Sequence, residues 1–244
     1  MHKDLKILVV VCARGGSKGI PKKNIRLLAG KPVLAYSIEA GLQFDWADKV
    51  LVSTDDLAIK AVAEKYGAAV PFLRPKSLAN DKVGRIAAVI HALKKSESYY
   101  QETYDIVMDL GNMAPLRNQE DMHAAVNLLV NHPETDVVFS VSPSQRNPYY
   151  NLGEINSSGF FQVSKKVKPT PSCRQDAPDS FDVNDSIYAI RRDSLLKHKK
   201  MTVPIQLVSS LKKRVLIMPQ ERSVDIDHLI DFQLVELLIK KSQK

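Results

Sequence analysis

The chain has 244 residues, 44% of them hydrophobic and 25% charged, with a net charge of +8. That length suits one large domain or one domain with a protruding subdomain, and the composition excludes a disordered chain. The apolar run from Ile7 to Ala13 is far short of the roughly 20 residues of a membrane span and meets Arg14 and Gly15 rather than a cleavage site; with only Cys12 and Cys173 as cysteines, the expectation is a cytoplasmic protein without a disulfide framework or a membrane partner.

In chain order the pattern alternates strand and helix, which predicts a parallel α/β sheet with right-handed crossovers. Residues 5–12 read as a buried strand, followed by a Gly- and Lys-rich loop to about residue 31. Pro32 suits the first turn of a helix whose apolar face is Val33, Leu34, Ile38 and Leu42. Lys49–Ser53 is a second strand; a helix runs from there to about Tyr66 and is stopped by Gly67. A short strand near Val70, a helix over roughly 83–95, a strand at Tyr104–Leu110 and a helix from Gln119 to Leu129 come next, then a strand at Asp136–Val141.

The rhythm changes after that strand. Residues 143–180 are rich in Pro, Ser, Asn, Gln and Lys with a weak strand at Phe160–Val163, too long for an ordinary connection, and read as an inserted functional or oligomerising arm. Ser186–Arg192 and Arg214–Met218 restore the strand pattern. The closing helix, Leu229 to about Lys241, offers Leu229, Phe232, Leu234, Val235, Leu237 and Leu238 as its apolar set. The fold class expected is a three-layer α/β sandwich with an inserted arm.

The positive charge is not spread evenly. Residues 1–40 carry eight Lys/Arg against Asp4 and Glu39, beside the first strand and its loop, which points to an anionic partner at one place. A nucleic-acid surface would spread cations and interleave aromatics for stacking, whereas this stretch holds only Tyr36, so no nucleic-acid partner is expected. In an open parallel sheet ligands bind beyond the carboxyl ends of the strands. Four polar clusters fall there: Arg14–Asn24, Ser53–Asp56, Gly111–Arg117 and Ser223–Asp227.

The first of these, ARGGSKGIPKKN, is the most informative. Its glycines let backbone N–H groups approach phosphate oxygens that Arg and Lys neutralise, yet it is neither GxxxxGK[ST] nor GxGxxG. About twelve residues are enough to wrap a triphosphate; the plainer alternative is a solvated basic loop. In SVDID, Asp225 and Asp227 stand at i and i+2 of an extended segment and so face one side. Paired carboxylates with phosphate oxygens suit Mg²⁺, although Asp227 alone could equally cap the last helix. The six histidines form no ligand spacing, Cys12 reads as a small buried hydrophobe, and no Ser-His-Asp arrangement emerges.

The segment ARGGSKGIPKKNIRLLAGKPVLAYSIEA resembles the amino-terminal signature of the acylneuraminate cytidylyltransferases, the CMP-sialic acid synthetases. The similarity continues in order through VSTDDLAIKAVAEKYGAAVPFLRPKSLAND, APLRNQED, CRQDAP, IYAI and SVDIDHLIDFQLVE. It implies a Rossmann-like nucleotidyltransferase sandwich with a dimerisation arm over 143–180, hence a homodimer. The implied reaction joins CTP to a 2-keto sugar acid, the anomeric hydroxyl attacking the α-phosphorus with Mg²⁺ (or Mn²⁺) assisting and pyrophosphate leaving.

Carried over residue by residue, the resemblance assigns Arg14, Gly15, Ser17, Lys18 and Lys23 to the triphosphate, and Asn24 and Arg74 to the nucleoside. Asp225 and Asp227 match the metal pair, with Arg14, Lys23 and Asp227 in catalytic positions. The sugar side falls to Gly111, Tyr150, Arg174, Asp182 and Asn184, and here the chain departs from the family. Gly111 stands where many members carry the glutamine of QPTSPLR, Tyr150 where a lysine is expected, and Asp182 where RPNGAIYI has a basic residue. The nucleotide half is intact and the sugar half altered, so a nonulosonate other than N-acetylneuraminate is expected. Activation of an octulosonate, or a nucleotide-binding regulator without turnover, are the alternatives.

Overall fold

The computed structural model describes residues 4–16, 20–80, 83–197 and 204–242. The elements follow the chain as β1 (Ile7–Cys12), β2 (Leu27–Leu28), β3 (Lys31–Pro32), α1 (Val33–Gln43), β4 (Lys49–Ser53), α2 (Leu57–Lys65), α3 (Arg85–Tyr100), β5 (Ile106–Leu110), α4 (Gln119–Val130) and β6 (Val137–Pro143). After them come β7 (Gly153–Ile155), β8 (Phe161–Val163), β9 (Phe181–Arg191), α5 (Arg192–Lys197), β10 (Lys213–Ile217) and α6 (Leu229–Ser242).

Six strands form the main sheet in the order β10-β6-β9-β5-β1-β4. β1 runs parallel to β4 and β5, and β6 parallel to β10. β9 is the exception, antiparallel to both its neighbours. The reason lies in the arm. β6 ends at the carboxyl edge, residues 144–180 stay at that edge, and the returning strand must therefore run the other way. The sheet is mostly parallel, as expected, but split by one reversed strand.

β1 is the centre of the packing because its ILVVVC run buries both faces. Ile7, Val9 and Val11 meet α1, α2 and α4 through Leu34, Ile38, Ile59, Ala63, Met122 and Val126. Leu8 and Val10 meet α3 through Ile86, Val89, Ile90 and Leu93. These are the three layers. A smaller cluster of Ile20, Leu28, Val33, Ile226, Phe232, Val235 and Ile239 seats α6 against the β2–β3 corner.

Some expectations shift. Leu42 lies at the surface, and of the apolar set of α6 only Phe232 and Val235 are buried, with Ile239 added; Leu229, Leu234 and Leu237 are exposed. The helix packs by one narrow stripe spaced i, i+3, i+7, and its other leucines fall outside it. The strand near Val70 is only a single bridge, Leu51 to Ala69. The arm carries a β7–β8 hairpin as a separate two-stranded sheet. Among the described residues, no helix is long and apolar enough to cross a membrane.

Candidate active site

A cleft of about 680 Å³ opens along the carboxyl edge, lined by Arg14, Gly16, Lys23, Asn24, Arg74, Asn112 and Asp227 among others. Residues from 14 to 227 meet here, so the first and last sequence clusters share one site. Ser17 and Lys18 lie outside the described residues.

The loop after β1 is held from beneath. Asp55 accepts from the Gly15 N–H at 3.1 Å, and Asp56 caps α2 by accepting from the N–H groups of Ala58 and Ile59. A Cβ on Gly15 would stand 2.7 Å from the Asp56 carboxylate, so the glycine keeps the loop against α2. The acidic pair of the second cluster thus braces the loop. Asn24 is buried, donates to the Arg14 carbonyl at 2.7 Å and receives the Asn112 amide. Its side chain ties two loops together at the cleft wall.

Arg74 is the informative cation. It is only 6% exposed, its N–H donates to the Thr54 carbonyl at 2.7 Å, and its Nε and Nη2 are buried without a partner. Burying guanidinium donors unpaired is costly, so a group of this kind on a cleft wall is built for an acceptor on a ligand.

The SVDID segment behaves as its alternation demands. Ile226 is fully buried and its N–H donates to the Met113 carbonyl at 2.9 Å, which leaves Asp225 and Asp227 facing the other way. Arg222 clamps the segment to α4 through both oxygens of Asp121, at 3.0 and 2.9 Å. The Asp227 carboxylate lies 3.3 Å from Lys23 Nζ. It does not cap α6: Asp231 does so, accepting from the N–H groups of Asp227 and His228. Burial, then the neighbouring Asp227 and Asp185, push the Asp225 carboxyl up to about 6. Carboxylates crowded in this way fit a hard divalent cation. Among the described residues no larger cluster of His, Cys, Asp or Glu forms a metal site, so a metal held here would complete its shell with phosphate and water oxygens.

The remaining cluster is structural. Arg117 is fully buried and donates to Ser37, Ser186 and the Gly111 carbonyl. Burial, then Arg85, lowers it to about 9. Gly111 has no room for a side chain, since a Cβ there would stand 2.1 Å from the Asp185 carbonyl oxygen. Asp185 itself has φ of 48°. The backbone of the facing strand fills the space that a side chain at position 111 would need.

The other sugar-side residues are dispersed. Asn184 is buried in the sheet, where its carbonyl receives Ser140 and the Ser186 N–H and its amide points at Met218. Those contacts turn it into the core. Asp182 accepts from the Ser144 hydroxyl at 2.8 Å, and Arg174 donates to the Ser144 carbonyl. Arg174 lines two cavities at the root of the arm, one of them shared with Arg146, and neither is the main cleft. Tyr150 is exposed at the start of the arm.

The sequence reading did not single out Arg85 as a cleft residue. Arg85 opens α3, and its Nη2 donates to Asp109 at 2.9 Å. The clue was Asp109 itself, an acid in the fully buried strand IVMDL that must find a partner. Burial opposes the charge on Arg85, but Asp109 outweighs it and holds the group above its ordinary value. Cys12 lies at the cleft floor with its thiol pushed up to about 12 by burial and by Asp109, so it is an unreactive wall.

The sequence model of the family described as Cytidylyltransferase matches residues 8–240. The chain belongs to the cytidylyltransferase family, and it is a nucleotidyltransferase. The CMP-N,N'-diacetyllegionaminic acid synthase of Campylobacter jejuni is 36% identical over 234 residues, covering 96% of this chain and 95% of that one. The synthase of the same name from Legionella pneumophila is 34% identical over 241 residues, covering 98% and 99%. A CMP:2-keto-3-deoxy-manno-octonic acid synthetase solved with CTP shares the fold, with a TM-score of 0.73 at 18% identity over 97% of this chain and 99% of that one.

Proposed function

We propose that this cytidylyltransferase transfers CMP from CTP to the anomeric hydroxyl of a nine-carbon 2-keto sugar acid of the diacetamido type, releasing pyrophosphate. The observation that carries it is the single cleft in which Arg14, Lys23 and the unpaired nitrogens of Arg74 face the aspartate segment across the carboxyl edge. The relatives named for N,N'-diacetyllegionaminic acid, similar over nearly the whole chain, support the choice of acceptor.

In this reading Arg14 and Lys23, with Gly15, Ser17 and Lys18 on the same loop, hold the triphosphate, and Asn24 and Arg74 hold the nucleoside. Asp225 and Asp227 are the residues that would hold Mg²⁺ or Mn²⁺, which when bound neutralises phosphate oxygens. One carboxylate of this pair is also suited to take the proton of the attacking hydroxyl. Lys23, paired with Asp227, balances the charge that builds on the phosphates as the bond to pyrophosphate breaks.

The acceptor side is completed by a second copy of the chain. The arm exposes Ile155, Phe160 and Phe161 at 75%, 71% and 64%, an apolar surface that a lone chain would leave in water. In this reading Arg174, which lies outside its own chain's cleft, serves the partner's. Incubation with CTP, Mg²⁺ and a panel of 2-keto sugar acids, following pyrophosphate, tests the reading. Release with N,N'-diacetyllegionaminic acid supports it; CTP binding without release from any acid would favour the non-catalytic regulator.

A further inference from the structure

Among the described residues the nucleotide cleft has four cations on its wall, Arg14, Lys23, Arg74 and Arg85. The first three are taken up by the nucleotide in the reading above. Arg85 is not, and its position differs: it also lines a second cavity of about 160 Å³, together with Tyr188, Asp185 and Ile205. Of the four it alone borders both spaces.

Its guanidinium is fixed. Nη2 donates to Asp109 at 2.9 Å, Nε stands 2.7 Å from the other carboxylate oxygen, and the group sits 5.6 Å from the centre of the Tyr188 ring. Asp109 is wholly buried, and a buried ion pair is a poor device for stability alone, because desolvation cancels most of the attraction. The pairing uses the Nε side of the fork. The Nη1 edge has one long contact, 3.4 Å to the Asp185 carbonyl, and the side chain is 31% exposed. Clamped at one edge and open at the other, it is arranged as an anion holder. It also begins the 16-residue α3 beyond Gly84, which gives that helix no side-chain cap, so the positive helix end faces the same place.

The acceptor chemistry says which anion. In a 2-keto sugar acid the carboxylate is bonded to the same carbon as the attacking hydroxyl. It must therefore arrive beside the α-phosphate, and bringing two anions together requires a cation between them. The phosphate cations stand in the nucleotide cleft and Arg174 stands at the root of the arm; Arg85 stands at the junction.

We propose that Arg85 holds the carboxylate of the acceptor sugar acid, and that Asp109 is the positioning residue that clamps its guanidinium. This rests on the sugar-acid reading above and gives the carboxylate to a residue of the same chain as the nucleotide cleft.

Arg85→Met alone strands a buried carboxylate, so the main variant is Arg85→Met/Asp109→Leu, which exchanges the pair for apolar volume. Pyrophosphate release from CTP and Mg²⁺ is followed with N,N'-diacetyllegionaminic acid and N-acetylneuraminic acid, each as free acid and as methyl ester. The double variant is expected to raise the KM of the acid roughly 30-fold or more, to leave the KM of CTP within about 3-fold, and to lose the parent's preference for acid over ester. Asp109→Asn keeps the side-chain shape and the Arg85 charge while loosening the clamp, its folding being checked by thermal melting, and is expected to move the acid KM the same way by a smaller factor with CTP unaffected. An unchanged acid KM and ester preference in either variant overturns the assignment. So does a rise confined to CTP, which would put Arg85 on the nucleotide. A parent that releases no pyrophosphate with any acid while binding CTP overturns the functional reading and this one with it, and is told apart because it fails before any substitution is made.

Discussion

The two ends of the carboxyl edge are built differently. At the β1–β4 end the loop residues are cross-tied to their neighbours: Gly15 to Asp55, Asn24 to Arg14 and Asn112, Arg74 to Thr54. At the β6–β9 end the chain runs into an arm of two three-residue strands with exposed aromatics. The first end is preformed in one chain, whereas the second has apolar surface still to cover. Recognition of CTP can be rigid, while recognition of the acid rests, in this reading, also on a partner subunit.

The largest expected effect comes from the preformed end. Asp227→Asn should lower kcat by more than the roughly 10–100-fold that loss of an outer partner costs a metal site. The melting temperature should stay put, because Asp231 rather than Asp227 caps α6. A stability loss with normal turnover would show the carboxylate to be structural. Next is Lys23→Ala, which removes a charge-assisted contact worth about 1.5–3 kcal/mol and should raise the KM of CTP roughly 10- to 150-fold in steady-state assays.

At the other end, Phe160→Asp/Phe161→Asp should convert a dimer to a monomer by sedimentation, with activity falling while each chain stays folded. A fully active monomer would contradict the role given to the arm. Gly111→Gln restores the residue common in the family but drives a Cβ into the Asp185 carbonyl. It is expected to cost about 1–3 kcal/mol in denaturant unfolding without improving turnover of N-acetylneuraminate. The smallest effect is that of Asp182→Arg. Its carboxylate is bonded to Ser144 at the root of the arm, so kcat/KM for different acids should change less than with substitutions at Arg85.

The sequence showed the preformed end well and the other end poorly, for physical reasons. The loop after β1 is a local feature in which glycines, cations and a preceding buried strand are contiguous, and the alternation of SVDID gave the facing of both aspartates directly. The reversal of β9 depends on which edge the arm returns to, which no local period records. The part played by Arg117 comes from contacts with Ser37, Gly111 and Ser186, up to 80 residues apart. Gly111 and Asp185 likewise meet only in the fold, so the lack of room for a side chain at position 111 leaves no local sign. Asp109 was visible as an anomaly in an apolar strand, but its partner Arg85 lies 24 residues away.

In the proposed function this family member activates a diacetamido nonulosonate at the cleft between the β1 loop and SVDID. The most direct measurement is kcat/KM for pyrophosphate release with CTP and Mg²⁺, comparing N,N'-diacetyllegionaminic acid with N-acetylneuraminic acid under identical conditions. Turnover of both is expected, with the diacetamido acid preferred by at least about tenfold, a difference of roughly 1.4 kcal/mol in transition-state binding. Equal or greater efficiency with N-acetylneuraminic acid would contradict it.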